Sequence, residues 1–197
     1  MCHGVERTAD LKALLATASV VVIGPGLGQS DWTRAMLSVV LESTCPQVLD
    51  ADALNLLAAE PVKRHNWILT PHPGEAARLL QTSVSAITAD RMAAAQALQA
   101  RFGGSIALKG AGTIVSSGDD VLPVICSAGN PGMATAGAGD VLAGIAGALL
   151  AQGLDPATAA RAAVCLHGVA GDRATRAGER GRLARDLVAE LPGLLQD

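Results

Sequence analysis

The stretch GNPGMATAGAGDVLAGIAGALL, residues 129–150, decides how the rest of the chain is read. Its first half, residues 129–139, is crowded with Gly, Ala and Thr, so the backbone there can approach a ligand with little side chain in the way. Its second half is an apolar helix opening at about Ala138. That helix start turns free N–H groups and the positive end of its dipole toward the loop, which makes a ready place for an anion. Asp140 falls on the first turn. A lone acid at that place is explained equally well by its attraction to the dipole. With a glycine loop before it and an apolar helix after it, the combination points to a phosphate site with a base beside it.

Outward from this stretch the chain alternates strands and helices. Residues 19–23 form a β-branched run suited to a strand covered on both faces, ended by Gly24-Pro25-Gly26-Leu27-Gly28. Residues 47–49 predict a strand closed by Asp50-Ala51-Asp52, and 66–70 another, stopped by Pro71-His72-Pro73. A fourth strand is expected at 105–108. Residues 113–116 and 121–125 read as a pair joined by the turn Ser117-Gly118-Asp119-Asp120. Helices are expected at 8–18, from Ser30 or Asp31 to about 42, and at 53–59, 74–80, 90–102, 138–152, 156–173 and 183–191. This alternation implies a mainly parallel sheet with helices on both faces. Ligands of such sheets sit at the carboxyl ends of the strands, where each candidate motif here falls. One shared site is the consequence.

Composition narrows the function classes. A length of 197 residues predicts a single domain, 1–197, with a real core. The only aromatic residues are Phe102, Trp32 and Trp67, which argues against binding a base between stacked rings. A net charge of −3 with 15 basic residues argues against a nucleic-acid surface. Cys2, Cys45, Cys126 and Cys165 are scattered without a CxxC pair, and the histidines are not clustered, so neither a zinc site nor a disulfide scaffold is indicated. Residues 1–12 carry both charges and no apolar core, and the longest apolar run, 141–150, is far short of the ~20 residues of a membrane helix. A soluble, cytoplasmic protein is expected.

Several residues carry candidate chemistry. Gly24, Gly26 and Gly28 invite a dinucleotide reading, but the third glycine comes one residue early for G-x-G-x-x-G, and a tight strand-to-helix turn explains them as well. His72 is clamped between two prolines at a strand end, which favours ligand contact over an idle surface histidine. Glu75 either caps the helix that follows or holds a water on a metal ion. Lys109, ahead of Gly110-Ala111-Gly112-Thr113, either snorkels to solvent or meets a phosphate, and the flanking glycines favour the second. Asp50 and Asp52 either cap a turn or lie near a cation. His167, inside an apolar helix, reads as a packed core histidine.

Together VVIGPGLG (21–28), DADALNLL (50–57), TPHPGEAARLL (70–80), LKGAGT (108–113) and residues 129–150 resemble the ADP-dependent NAD(P)H-hydrate dehydratase family, in order and in spacing. The resemblance implies a ribokinase-like three-layer α/β/α sandwich. It implies repair of the S form of hydrated NADH or NADPH, with ADP consumed to AMP and phosphate and Mg2+ assisting. Carried over by motif, Asp140 is the catalytic carboxylate facing the hydrate's hydroxyl. Gly26 and His72 contact the hydrated coenzyme. Lys109, Gly110, Ala111, Gly112, Thr113 and Gly139 hold the adenine nucleotide. No metal ligand carries over; His72 replaces the asparagine of an Asn-x-x-Glu metal motif in related kinases. A homo-oligomer, often a tetramer, is implied. Residues 1–5 match an interior point of the family pattern, so the chain is expected to lack the family's first strands. Two other readings stay open: a small-molecule kinase on the same fold using ATP, and a nucleotide-binding remnant without activity.

Overall fold

The structure, a computed structural model, describes residues 1–118, 122–175, 178 and 180–196. In chain order the elements are α1 (Thr8–Leu15), β1 (Val21–Ile23), α2 (Asp31–Glu42), β2 (Gln47–Leu49), α3 (Ala51–Ala59), β3 (Trp67–Leu69), α4 (Pro73–Leu80), α5 (Val84–Ala89), α6 (Arg91–Phe102) and β4 (Ser105–Leu108). There follow β5 (Thr113–Ser117), β6 (Val124–Cys126), a 3-10 turn (Pro131–Met133), α7 (Ala138–Ala151), α8 (Pro156–Ala174) and α9 (Ala184–Leu194). The six strands lie side by side in sequence order. β1 to β4 are parallel; β5 pairs antiparallel with β4, and β6 antiparallel with β5.

Monotonic order follows from the connections. Parallel crossovers are right-handed as a rule, so strands laid down one after another in one direction put their connecting helices on one face. α2, α3, α4 and α6 accordingly share one core with Leu49, Trp67, Leu69, Ile106, Leu108 and Ile114. The other face carries Val48, Ile68, Ala107 and Val115 against α7 and α8. Strand residues alternate between the two cores with period two, as pleated backbone requires. Both faces being covered, the result is a three-layer sandwich, and the central strands read as continuous hydrophobic runs.

Local caps fix most helix starts. The Ser30 hydroxyl accepts from Thr33 N–H, the Asp90 carboxylate from Ala93 N–H, and the Asp155 carboxylate from Ala157 and Thr158 N–H. Asp155 also accepts from the Thr158 hydroxyl, and these bonds hold its carboxyl below the usual range. α5, absent from the sequence expectation, begins where the Ser83 hydroxyl accepts from Ala86 N–H. The antiparallel pairing of β5 and β6 matches the expected pair, with β6 placed slightly later than 121–125. Its turn residues Asp119 and Asp120, with Val121, lie outside the described residues. Among the described residues, no helix is long and apolar enough to cross a membrane.

Candidate active site

The carboxyl ends of β1 to β4 open on one side of the sheet, and the loops that leave them are tied to one another. Gly24 follows β1 at φ +132°, and a Cβ there would run into the backbone carbonyl of Asp50 at the end of β2. Asp52, on the first turn of α3, accepts the Gly28 N–H at 2.8 Å. The turn reading of these glycines therefore accounts for Gly24 and Gly28. Gly26 stands exposed with open space where a Cβ would go.

Asp50 occupies the cap position of α3 but its side chain makes no cap bond. Its carboxylate, buried to 1% exposure, instead takes the Lys109 ammonium at 2.6 Å from the end of β4. The same ammonium lies 3.8 Å from Glu75, itself buried at the start of α4. One cation thus stands between two desolvated carboxylates, leaving the cluster with net negative charge. Neither alternative read for Lys109 includes this pairing, and nothing local in the sequence marks it: Asp50 and Lys109 are 59 residues apart and meet because β2 and β4 flank β3. Immediately after Asp50, Ala51 adopts φ +47°, a left-handed conformation unusual for a non-glycine residue, and such strain concentrates at functional sites.

His72 and Glu75 form a reciprocal cap. The His72 Nδ1 accepts from Gly74 N–H at 2.9 Å, and Glu75 Oε2 accepts from His72 N–H at 2.8 Å. With Nδ1 accepting, a neutral ring carries its proton on Nε2, which faces Glu75 Oε1 at 3.3 Å. Glu75 is a cap, and the half-exposed His72 ring is fixed by it.

The segment from Lys109 to Thr113 leaves β4 under an arginine. Arg91, first residue of α6, donates to the carbonyls of Leu108 at 3.2 Å and Ala111 at 2.6 Å. Its guanidinium leaves no room for a Cβ on Gly110, which would come within 2.8 Å. The Thr113 hydroxyl closes the turn on Gly110 O at 3.2 Å. Facing this segment is the first turn of α7. A Cβ on Gly139 would lie 3.3 Å from Lys109 Nζ and 3.7 Å from Asp50 Oδ2. Asp140, next along, is exposed. So Lys109, Asp50 and Gly139 come to one place, and Asp140 is the residue after Gly139 on the first turn of α7.

His167 departs from the expectation of a plain core residue. From the middle of α8 its Nε2 meets the carbonyl of Ala138, the first residue of α7, at 2.8 Å. Burial pushes its pKa below the ordinary 6.5, the bond to Ala138 works against that, and the nearby positive charge of Lys109 adds to the lowering. The ring is neutral and donates from Nε2. Among the described residues no three His, Cys, Asp or Glu side chains cluster as a metal cage. The four cysteines are free.

Comparison with known proteins follows this geometry. Residues 1–193 match the Carb_kinase family, described as NAD(P)H-hydrate dehydratase. The bifunctional NAD(P)H-hydrate repair enzyme Nnr of Coxiella burnetii is 54% identical over 97% of this chain, which spans 39% of that protein. The ADP-dependent (S)-NAD(P)H-hydrate dehydratase of Neisseria meningitidis is 46% identical over 84% of the chain, covering 58% of that protein. The structure of the ADP/ATP-dependent NAD(P)H-hydrate dehydratase of Bacillus subtilis, co-crystallised with ATP and Mg2+ and soaked with coenzyme A, superposes with a TM-score of 0.78 at 32% identity. That match covers 90% of this chain and 66% of the other. Motif order, the site at the strand ends and the match over nearly the whole length agree: the chain belongs to the NAD(P)H-hydrate dehydratase family.

Proposed function

We propose that this chain carries the ADP-dependent dehydration of the S form of hydrated NADH or NADPH, releasing AMP and phosphate. The observation that carries the proposal is the approach of Lys109 to Gly139 at one end of the sheet, where a glycine loop opens a helix whose next residue is Asp140. Phosphoryl transfer asks for positioned donors and charge rather than covalent chemistry from the protein. Gly110, Ala111, Gly112, Thr113 and Gly139 are assigned to the phosphates of ADP as backbone donors, and Lys109 to supplying positive charge. Asp140, exposed on the first turn of α7, accepts the proton of the hydrate's hydroxyl as that oxygen attacks the β-phosphorus of ADP and AMP departs. Loss of the phosphate with the neighbouring proton then restores the ring double bond. Gly26 and His72 are assigned to the coenzyme side.

A divalent cation fits this site as a passenger of the nucleotide. Mg2+ retains several waters and takes few protein oxygens, so it asks for one or two carboxylates rather than a full protein cage. Asp140, the exposed carboxylate on the first turn of α7, would hold its waters; bound there, the cation would neutralise phosphate charge. We further propose that residues 1–197 form one domain that works in the cytoplasm as a homo-oligomer, an assembly that light scattering on the purified chain would measure.

The test is reduced-coenzyme absorbance with hydrated coenzyme, ADP and magnesium. Turnover by the native chain that is lost in Asp140→Asn supports the proposal. Turnover of a small alcohol with ATP, and none with ADP and hydrate, would replace it with a kinase. Thermal stabilisation by ADP or AMP without turnover would reduce it to nucleotide binding.

A further inference from the structure

The glycine loop is held at both ends by one stripe of α8. Residues 167, 168, 171 and 172 recur at helical spacing and face it together. At its far end His167 holds the Ala138 carbonyl at 2.8 Å. In the middle, Gly168 and Gly171 give room: a Cβ on Gly168 would lie 2.8 Å from the Ala128 carbonyl oxygen, and one on Gly171 would collide with the Met133 side chain. At the near end Asp172 does the fastening. Its Oδ2 accepts the Gly129 N–H at 2.9 Å, and its Oδ1 accepts the Asn130 amide at 2.9 Å. Asn130 in turn accepts the Gly132 N–H at 3.0 Å, which starts the 3-10 turn.

Asp172 sits in the last turn of α8, where the helix dipole disfavours an acid. Helix stability therefore does not explain it, and the loop does. We infer that α8 is the template on which the loop 129–139 is shaped before any ligand arrives, with Asp172 as its positioning residue. By fixing the loop's entry while His167 fixes its exit, α8 sets where Gly139 and Asp140 stand relative to Lys109. Only the nucleotide-related consequences rest on the function proposed above.

The bonding pattern supplies its own test. The side chain introduced by Asp172→Asn has one acceptor and one donor group, so it confronts either Gly129 N–H or the Asn130 amide donor to donor; flipping the Asn130 amide only transfers the conflict to Gly132 N–H. Adding Asn130→Asp repairs the network. The new amide at position 172 then accepts from Gly129 N–H and donates to the new carboxylate at position 130, whose second oxygen still accepts from Gly132 N–H. We expect amide hydrogen exchange over 129–139 in the unliganded protein to rise about tenfold in the single variant, the equivalent of one net hydrogen bond, and to return in the double variant. With ADP, the single variant shows a smaller thermal shift and a raised KM for ADP, and the double variant recovers both. Unchanged exchange in Asp172→Asn, or a double variant no better than the single, overturns the inference. Should the native chain neither bind ADP nor turn over hydrate, the function proposed above fails, while the exchange measurement still decides the role of Asp172.

Discussion

The two faces of the sheet are packed on different scales. Against α2, α3, α4 and α6 the filling is bulky: Trp67, Phe102, Leu54, Leu57, Leu79 and Leu98 are all fully buried. Against α7 and α8 there is no aromatic residue, and Ala107, Ala143, Ala146, Ala159, Ala160 and Ala163 stand among leucines, isoleucines and valines. Large side chains hold helices at ordinary distances and tolerate exchange among themselves. Small ones let backbones approach, so α7 comes down onto Val22 at Gly147 and α8 comes down onto the glycine loop at Gly168. The bulky face supplies stability; the small-residue face supplies placement. The end of the sheet where a ligand would sit draws its charges, Asp50, Glu75 and Lys109, from strand ends and the start of α4, and its loop from the small-residue side.

This contrast predicts different responses to substitution. The largest expected effect is Asp140→Asn, which should lower kcat by about 10²–10⁴, the range for losing a positioned base, while costing no more than about 1 kcal/mol of stability for the lost helix-start charge; steady-state kinetics beside a melting curve measures both. On the bulky face Leu54→Ala should cost about 2–5 kcal/mol in urea unfolding, with the KM for ADP of the surviving folded fraction unchanged. A raised KM would show that the two faces are less separate than their packing indicates. On the small face Gly168→Ala should cost about 1–3 kcal/mol despite a better helix propensity, because the new methyl meets backbone that cannot step aside. Its control is Gly144→Ala on α7, which has open space and should gain up to about 1 kcal/mol. Equal effects at the two glycines would break the close-approach account.

The smallest effect is a pH dependence. His167 is held neutral in the fold by burial, whereas in the unfolded chain it takes up a proton near 6.5. The unfolded state thus binds more protons as the pH falls, so the stability His167 allows at neutral pH is lost as pH drops through 6.5. His167→Gln should flatten that part of the melting-temperature profile, and an unaltered profile would mean the ring is no more costly to protonate in the fold than outside it.

The sheet and its crossovers were legible because they are written locally. The strands at 47–49 and 105–108 and the helix starting at Ala138 stand where short apolar runs and the turn residues that bound them put them. α5 was not legible: Val84–Ala89 mixes β-branched and small residues, and only the Ser83 cap marks it. α9 runs past the expected stop to Leu194 with Pro192 inside it, leaving the carbonyl four residues earlier, on half-exposed Val188, without its helical donor.

Sequence alone determined where strands and helices stop in loops, since a proline, a glycine or a capping serine acts on its own few residues. It also determined the family, because motif order survives as text. The fold alone decided the partners across the molecule: Asp50 with Lys109, Asp52 with Gly28, Asp172 with Gly129 and Asn130, and His167 with Ala138. Each pair joins residues 24 to 59 positions apart, a separation that no local periodicity encodes and that parallel strand order and helix packing close.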